Sequence, residues 1–217
     1  SEISWLRDLE VFLNFGVGFH SNDARTVVDD PRILARATGA EVGLRSRFFE
    51  RIEVAIDGFW LGLEDELVFV GDEGTTESGG RTRRLGVELV AHADVTDWLY
   101  LRGDVAYTSA RFTSAGDPVP QAPRFVAKGA IGVREGGFAA ELGVRHLGER
   151  YASEAFRDPK LSDYTVLDLG MRYRYGRFEV GLALENLTDT HWRSAGVCDE
   201  SCAPGEVGRG VAGALAG

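Results

Sequence analysis

Two cysteines, one methionine and six prolines are all that 217 residues contain of those types. No run approaches ~18 consecutive apolar residues, which excludes a membrane-spanning helix. A spanning β-strand is not excluded, because it needs only ~9–11 residues with one apolar face. Positive charge is short as well: 24 Lys and Arg stand against 34 Asp and Glu, for a net charge of -10. The arginines are scattered and no basic patch interleaves with aromatics, so no nucleic-acid partner is expected. Few prolines beside 28 glycines disfavour collagen-like and disordered chains and suit a strand-rich fold with many turns. Catalytic signatures are missing too. No serine sits in a G-x-S-x-G setting, and His20, His92, His146 and His191 lack metal-ligand spacing. No cofactor and no covalent chemistry are expected. Cys198 and Cys202 form a C-x3-C pair that suits a local disulfide or two free thiols; a metal site would need more ligands than nearby His191 supplies.

What the chain does have is period-two alternation almost from end to end. Val11, Leu13, Phe15, Val17 and Phe19 alternate with Phe12, Asn14, Gly16, Gly18 and His20. Leu85, Val87, Leu89 and Ala91 alternate with Arg84, Gly86, Glu88 and His92, and Leu167, Leu169, Met171 and Tyr173 with Asp168, Gly170, Arg172 and Arg174. Ten strand candidates follow, over residues 9–19, 39–49, 52–70, 81–93, 98–112, 124–135, 138–149, 163–175, 177–188 and 206–215. The third loses its phase beyond Gly58 and the tenth is poor in large side chains.

The connections alternate strictly between short and long, which is the order of a meander with tight turns at one end and long loops at the other. Outer-membrane barrels have that asymmetry. Aromatics gather at both ends: Phe48, Trp98, Phe138 and Tyr175 near short turns, and Phe19, Tyr107, Phe125 and Tyr164 near long loops. Two such bands match girdles at two membrane interfaces. The face opposite the apolar one holds Glu41, Arg45, Arg47, Glu88, Lys128, Arg134, Glu141, Arg145, Asp168, Arg172, Arg174, Glu179 and Glu185. Charges of both signs on one face suit a wide polar lumen in which they pair across strands. The expected fold is an all-β, antiparallel, up-and-down transmembrane β-barrel. A soluble all-β binding domain would also alternate, with its apolar face inside.

Several segments, in their order and spacing, resemble the C-terminal barrel region of TonB-dependent outer-membrane receptors. They are residues 16–25 (GVGFHSNDAR), 40–45 (AEVGLR), Phe59-Trp60 with 66–69 (ELVF), 81–88 (RTRRLGVE), 104–112 (DVAYTSARF), 120–124 (PQAPR) and 185–189 (ENLTD). Together they cover nearly the whole chain. The resemblance implies a 22-strand type of barrel with an N-terminal plug and a TonB box. Residues 1–217 then correspond to about ten C-terminal strands, with plug and TonB box absent. The final residues lack the terminal aromatic that the resemblance leads one to expect. The function implied is TonB-energised uptake of a scarce ligand, foremost a ferric siderophore or similar metal chelate. The partners implied are outer-membrane lipid and lipopolysaccharide, the TonB complex through the missing plug, and the small-molecule ligand. The alternative from another class is a self-standing small barrel acting as pore or adhesin.

On this reading His20, Asn22, Asp23 and Arg25 enter the longest loop at the outer mouth, where they meet ligand; the alternative is turn hydrogen bonding by Asn22 and Asp23. Arg111, Arg145, Arg150 and Tyr151 lie near the same mouth. Their arginines can fork onto an anionic chelate, or instead pair with lumen carboxylates or lipopolysaccharide. The acidic run Glu64-Asp65-Glu66 is either a solvated loop face or a cation contact.

Overall fold

A computed structural model of the chain describes residues 6–21, 34–70, 75–151 and 160–192. The alternating segments form long strands: β1 (Leu6–Ser21), β2 (Leu34–Phe48) and β3 (Ile52–Leu63). After them come β4 (Leu67–Val70), β5 (Thr75–Ser78), β6 (Thr82–Asp94) and β7 (Leu99–Phe112). Then follow β8 (Phe125–Glu135), β9 (Phe138–Leu147), β10 (Arg150–Tyr151), β11 (Lys160–Leu161), β12 (Tyr164–Tyr175) and β13 (Phe178–Leu184). Nine of these make one antiparallel sheet in the order β1-β2-β3-β6-β7-β8-β9-β12-β13. The pairs β4–β5 and β10–β11 are separate hairpins inserted in the long connections. At ~3.3 Å per residue, strands such as β1 outrun a ~30 Å hydrocarbon layer.

The short turns follow from local chemistry. Phe49 and Glu50 both take positive φ (50° and 59°), the two-residue geometry that matches strand twist, and Arg51 N donates to Phe48 O at 3.1 Å. Gly136 and Gly137 take the same geometry between β8 and β9, without the Cβ penalty that the other turn bears.

Two expectations change in detail. The third candidate ends at Leu63, and Leu67–Val70 leaves the sheet to pair with Thr75–Ser78. The turning point is Glu66. Its N–H donates to Gly80 O at 3.0 Å, and its carboxylate accepts from Thr82 Oγ1 at 2.6 Å and Arg84 Nη2 at 2.5 Å. Glu66 is therefore a part-buried clip rather than part of a solvated acidic face. The ninth candidate ends at Leu184, because Asn186 takes a positive φ of 52°. The tenth candidate, residues 206–215, lies outside the described residues.

The register sorts side chains onto two faces that persist across all nine strands. One tier of directly opposed residues runs Leu13, Val42, Gly58, Val87, Tyr107 and Phe125. Such apolar tiers are uncovered, with Phe15 74% and Val180 72% exposed. Among the described residues the buried apolar set is small and gathers near the long loops, at Ala35, Leu63, Ala110, Phe112, Val119, Leu161 and Val166. The other face is charged and concave: Glu10, Asn14, Glu41, Arg45, Glu53, Asp57 and His92 line a hollow of about 420 Å³. A soluble barrel needs the opposite arrangement, with the apolar side enclosed. β1 and β13 stand at the two edges, and no pairing joins them among the described residues.

Candidate functional site: the concave face and its loop end

The concave face is a lattice of ion pairs. Between neighbouring strands, Arg47 meets Glu53 at 3.3 Å, Arg145 meets Asp168 at 2.8 Å and Arg174 meets Glu179 at 2.6 Å. Others skip a strand. Arg102 on β7 binds Glu141 on β9, and Arg134 on β8 reaches Asp94 on β6 at 2.6 Å. Strands lie ~4.8 Å apart, so these contacts across an intervening strand use the full reach of the arginine side chains. Tyr100 completes this cluster. Its ring lies flat over Gly132 of β8, its hydroxyl donates to Glu141 at 2.7 Å, and the Arg134 guanidinium stands 5.3 Å from its centroid. These pairs are half exposed, so each contributes little singly; together they set register and hold the face polar.

At the long-loop end the residues after β7 turn back and pair along its edge: Arg111 bridges Pro118, Val119 N donates to Ala110 O at 3.1 Å, Phe112 N donates to Asp117 O at 2.8 Å, and Ala110, Phe112 and Val119 form a small buried cluster. Tyr151 O accepts from Gln121 N at 2.8 Å, which ties the β10–β11 hairpin to this segment. Tyr164 stacks on Trp192 with centroids 5.4 Å apart.

The residues expected at the mouth fall in different places. Asn22, Asp23 and Arg25 lie outside the described residues, as do Cys198 and Cys202. His20 is the penultimate residue of β1, opposite Ala35. Arg145 is on the concave face, held by Asp168. Arg150 is only 3% exposed and lies 5.9 Å from the Tyr164 ring centroid. Burial pushes its guanidinium below the ordinary value, and the neighbouring Tyr164 acts in the opposite sense. Tyr151 is half-buried, with Lys160 Nζ 5.5 Å from its ring centroid. Arg111 faces the apolar side, in register with Arg83, and its Nη1 donates to Gly116 O at 2.7 Å. Sequence reasoning missed the Tyr100–Glu141–Arg102 cluster. Its only linear trace is a tyrosine and an arginine two apart on one strand face.

Residues 3–187 match the family model for the TonB-dependent receptor-like β-barrel. The chain belongs to the TonB-dependent receptor family. Receptors of this family are outer-membrane proteins, and this chain is one. No curated protein matches by sequence. Among solved structures, the ferric yersiniabactin uptake receptor FyuA from Yersinia pestis aligns at 19% identity and a TM-score of 0.71, over 90% of this chain and 32% of that one. The copper transporter OprC aligns at 18% identity and a TM-score of 0.70, over 85% of this chain and 32% of its own. The ferric citrate transporter FecA aligns at 15% identity and a TM-score of 0.69, over 86% and 32%. The chain thus spans about a third of the receptors it resembles. Among the described residues the sheet is open at β1 and β13, as a sector of a larger barrel is.

Proposed function

We propose that this chain is the C-terminal wall of an outer-membrane receptor that admits a scarce ligand, foremost a ferric siderophore or similar metal chelate, under TonB energisation. The observation that carries the reading is the pairing of an uncovered apolar face with a charged concave face. The first suits lipid and the second a hydrated passage. The names of the receptors aligned above point the same way, since they speak of ferric yersiniabactin, copper and ferric citrate. The wall itself performs no covalent chemistry on this reading. A plug domain elsewhere in the receptor occupies the lumen and couples it to the TonB complex. Ligand meets His20, Asn22, Asp23 and Arg25, while Arg150 and Tyr151 belong to the β10–β11 hairpin and Arg145 is held on the concave face by Asp168. Residues 1–217 act as one barrel region.

The test is growth of a receptor-deficient Gram-negative host carrying the full-length receptor, on a panel of ferric chelates as sole iron source. Growth on one chelate, lost when TonB is deleted, is the expected outcome. Accumulation that persists without TonB would show a passive pore and overturn the reading.

A further inference from the structure

Charges on the concave face are not matched evenly from strand to strand. On β2, β3 and β6 the surplus is negative: among the described residues Glu41, Asp57 and Glu88 have no cation partner, and Asp57 stands directly opposite Glu88. On β8, β9 and β12 the surplus is positive. The carboxylates there are occupied: Glu141 accepts from Tyr100 and Arg102, and Asp168 accepts from Arg145 and from Asn186 N. Two exposed cations, Lys128 on β8 and Arg172 on β12, have no carboxylate partner among the described residues. Lys128 stands between Asp104 and Arg145 in the ladder, without an ion pair to Asp104, and Arg172 stands between Ala139 and Gly181.

The space between these two cations is open. Elsewhere on the concave face Gly43, Gly86 and Gly132 are each covered by a ring, that of Phe12, Phe59 and Tyr100. Gly143, Gly170 and Gly181 are not. A Cβ built at Gly170 meets nothing within 4 Å, and at Gly143 and Gly181 it meets only backbone carbonyl oxygens, at 3.9 Å and 3.7 Å. Gly143 lies opposite Asp168, Gly170 lies between Glu141 and Ala183, and Ala139 lies opposite Arg172. A strip of nearly bare backbone therefore descends β9, β12 and β13 from the tier of Lys128 and Arg145 to the tier of Arg172. Arg145 is opposite Val166, six residues from Arg172, so the two tiers are about 20 Å apart along the strands. Lys128 is near the long-loop end of β8, and Arg172 is near the short-turn end of β12.

Ionisable side chains that face a water-filled cavity inside a spanning structure mark routes for charged solutes. A surplus of one sign in such a cavity raises the local concentration of the opposite ion. Passage also needs several weak contacts rather than one strong one, so that the solute leaves each in turn. Two exposed, unpaired cations spaced along an open strip meet these requirements, and the surplus carboxylates of β2, β3 and β6 repel the same solute from the other half. We propose that Lys128 and Arg172 are successive contacts for an anionic metal chelate that passes along β8, β9 and β12 from the loop end to the turn end of the concave face. The proposal rests on the transport reading above and adds to it the charge of the substrate and the strands it follows.

The experiment uses the full-length receptor in the receptor-deficient host, offered radioactive iron as ferric citrate, as an anionic ferric catecholate, as a neutral ferric trihydroxamate and as a cationic ferric chelate. Binding to de-energised cells and the initial rate of TonB-dependent uptake are read separately. The wild type is expected to take up an anionic chelate. Arg172→Gln should bind that chelate as tightly as the wild type and take it up about tenfold more slowly, through the loss of one charge-assisted contact. Arg172→Lys should restore most of the rate, and combining Lys128→Gln with Arg172→Gln should slow uptake further. Neither side chain has an ion pair to lose, so the Tm of these variants in detergent should match the wild type. Arg47→Gln, which removes a pair on the other half of the face, should leave the uptake rate unchanged. Wild-type uptake by the double variant overturns the proposal. So does an equal loss in Arg47→Gln, a lowered Tm that accounts for the slower uptake, or uptake confined to neutral or cationic chelates. Absence of TonB-dependent uptake of every chelate overturns instead the transport reading beneath it.

Discussion

Asp168 joins two distant parts of the chain through its two carboxylate oxygens: Oδ1 accepts from Asn186 N at 3.0 Å, and Oδ2 accepts from Arg145 Nε at 2.9 Å. Asn186 then brackets Thr190, with Thr190 N on its Oδ1 at 2.9 Å and its own Nδ2 on Thr190 O at 3.2 Å. Residues 185–189, which carry much of the family resemblance, are thus a strand stop that folds back on β12. Asp168→Ala is expected to destabilise the barrel by about 1–2 kcal/mol, the loss of one charge-assisted bond plus a half-exposed ion pair. Asp168→Asn keeps an acceptor and should cost less. Denaturant unfolding in detergent measures both, and equal costs would show that the Asn186 contact contributes nothing.

Tyr100 and Gly132 form a second coupled pair. A Cβ at Gly132 would lie 2.1 Å from Tyr100 Cζ and 2.3 Å from its hydroxyl oxygen. Gly132→Val should displace the ring, break the bond from its hydroxyl to Glu141, and cost ~1–3 kcal/mol. Tyr100→Phe keeps the ring in place and should cost about 1 kcal/mol. A double variant no worse than Gly132→Val alone would establish that both act on the same contact.

Asp57 stands directly opposite Glu88 on the concave face, and its Oδ2 is buried with no donor among the described residues. Opposed like charges weaken a ladder. Asp57→Asn should therefore raise the unfolding midpoint in detergent by up to about 1 kcal/mol of stability. A fall in the midpoint would mean that another part of the receptor pairs with this carboxylate.

Arg150 tests whether a residue expected to meet ligand serves as a frame. Because it is buried beside Tyr164, Arg150→Ala should destabilise the β10–β11 hairpin by roughly 3 kcal/mol, the cost of breaking a buried charged contact. Limited proteolysis between Tyr151 and Lys160 should then quicken. An unchanged cleavage rate with weaker ligand binding would instead make Arg150 a direct ligand contact.

The uncovered apolar face makes the last prediction. The chain refolded alone should need detergent or lipid and give a strand-type circular dichroism spectrum. A monomeric, cooperative chain in plain buffer would contradict the outward apolar face.

Alternation made β1, β2, β6 to β9 and β12 legible within a few residues, because each strand has one apolar and one polar or small face and the period survives any tertiary context. The split after Leu63 was not legible. Leu67–Val70 is apolar enough to read as more strand, and only the clip from Glu66 to Thr82 and Arg84, sixteen and eighteen residues away, turns the chain. The mouth residues were partly legible: pattern placed Arg111 near the loop end but not on its face, since Arg83 fixes that through the β6–β7 register.

By itself the sequence determined that this is an antiparallel meander with one apolar and one charged face, because period two and turn chemistry are properties of neighbouring residues. Which face is concave and which charges meet across an intervening strand were decided by the tertiary structure. Curvature and register bring together residues some forty positions apart, such as Tyr100 and Glu141, and nothing local encodes that distance.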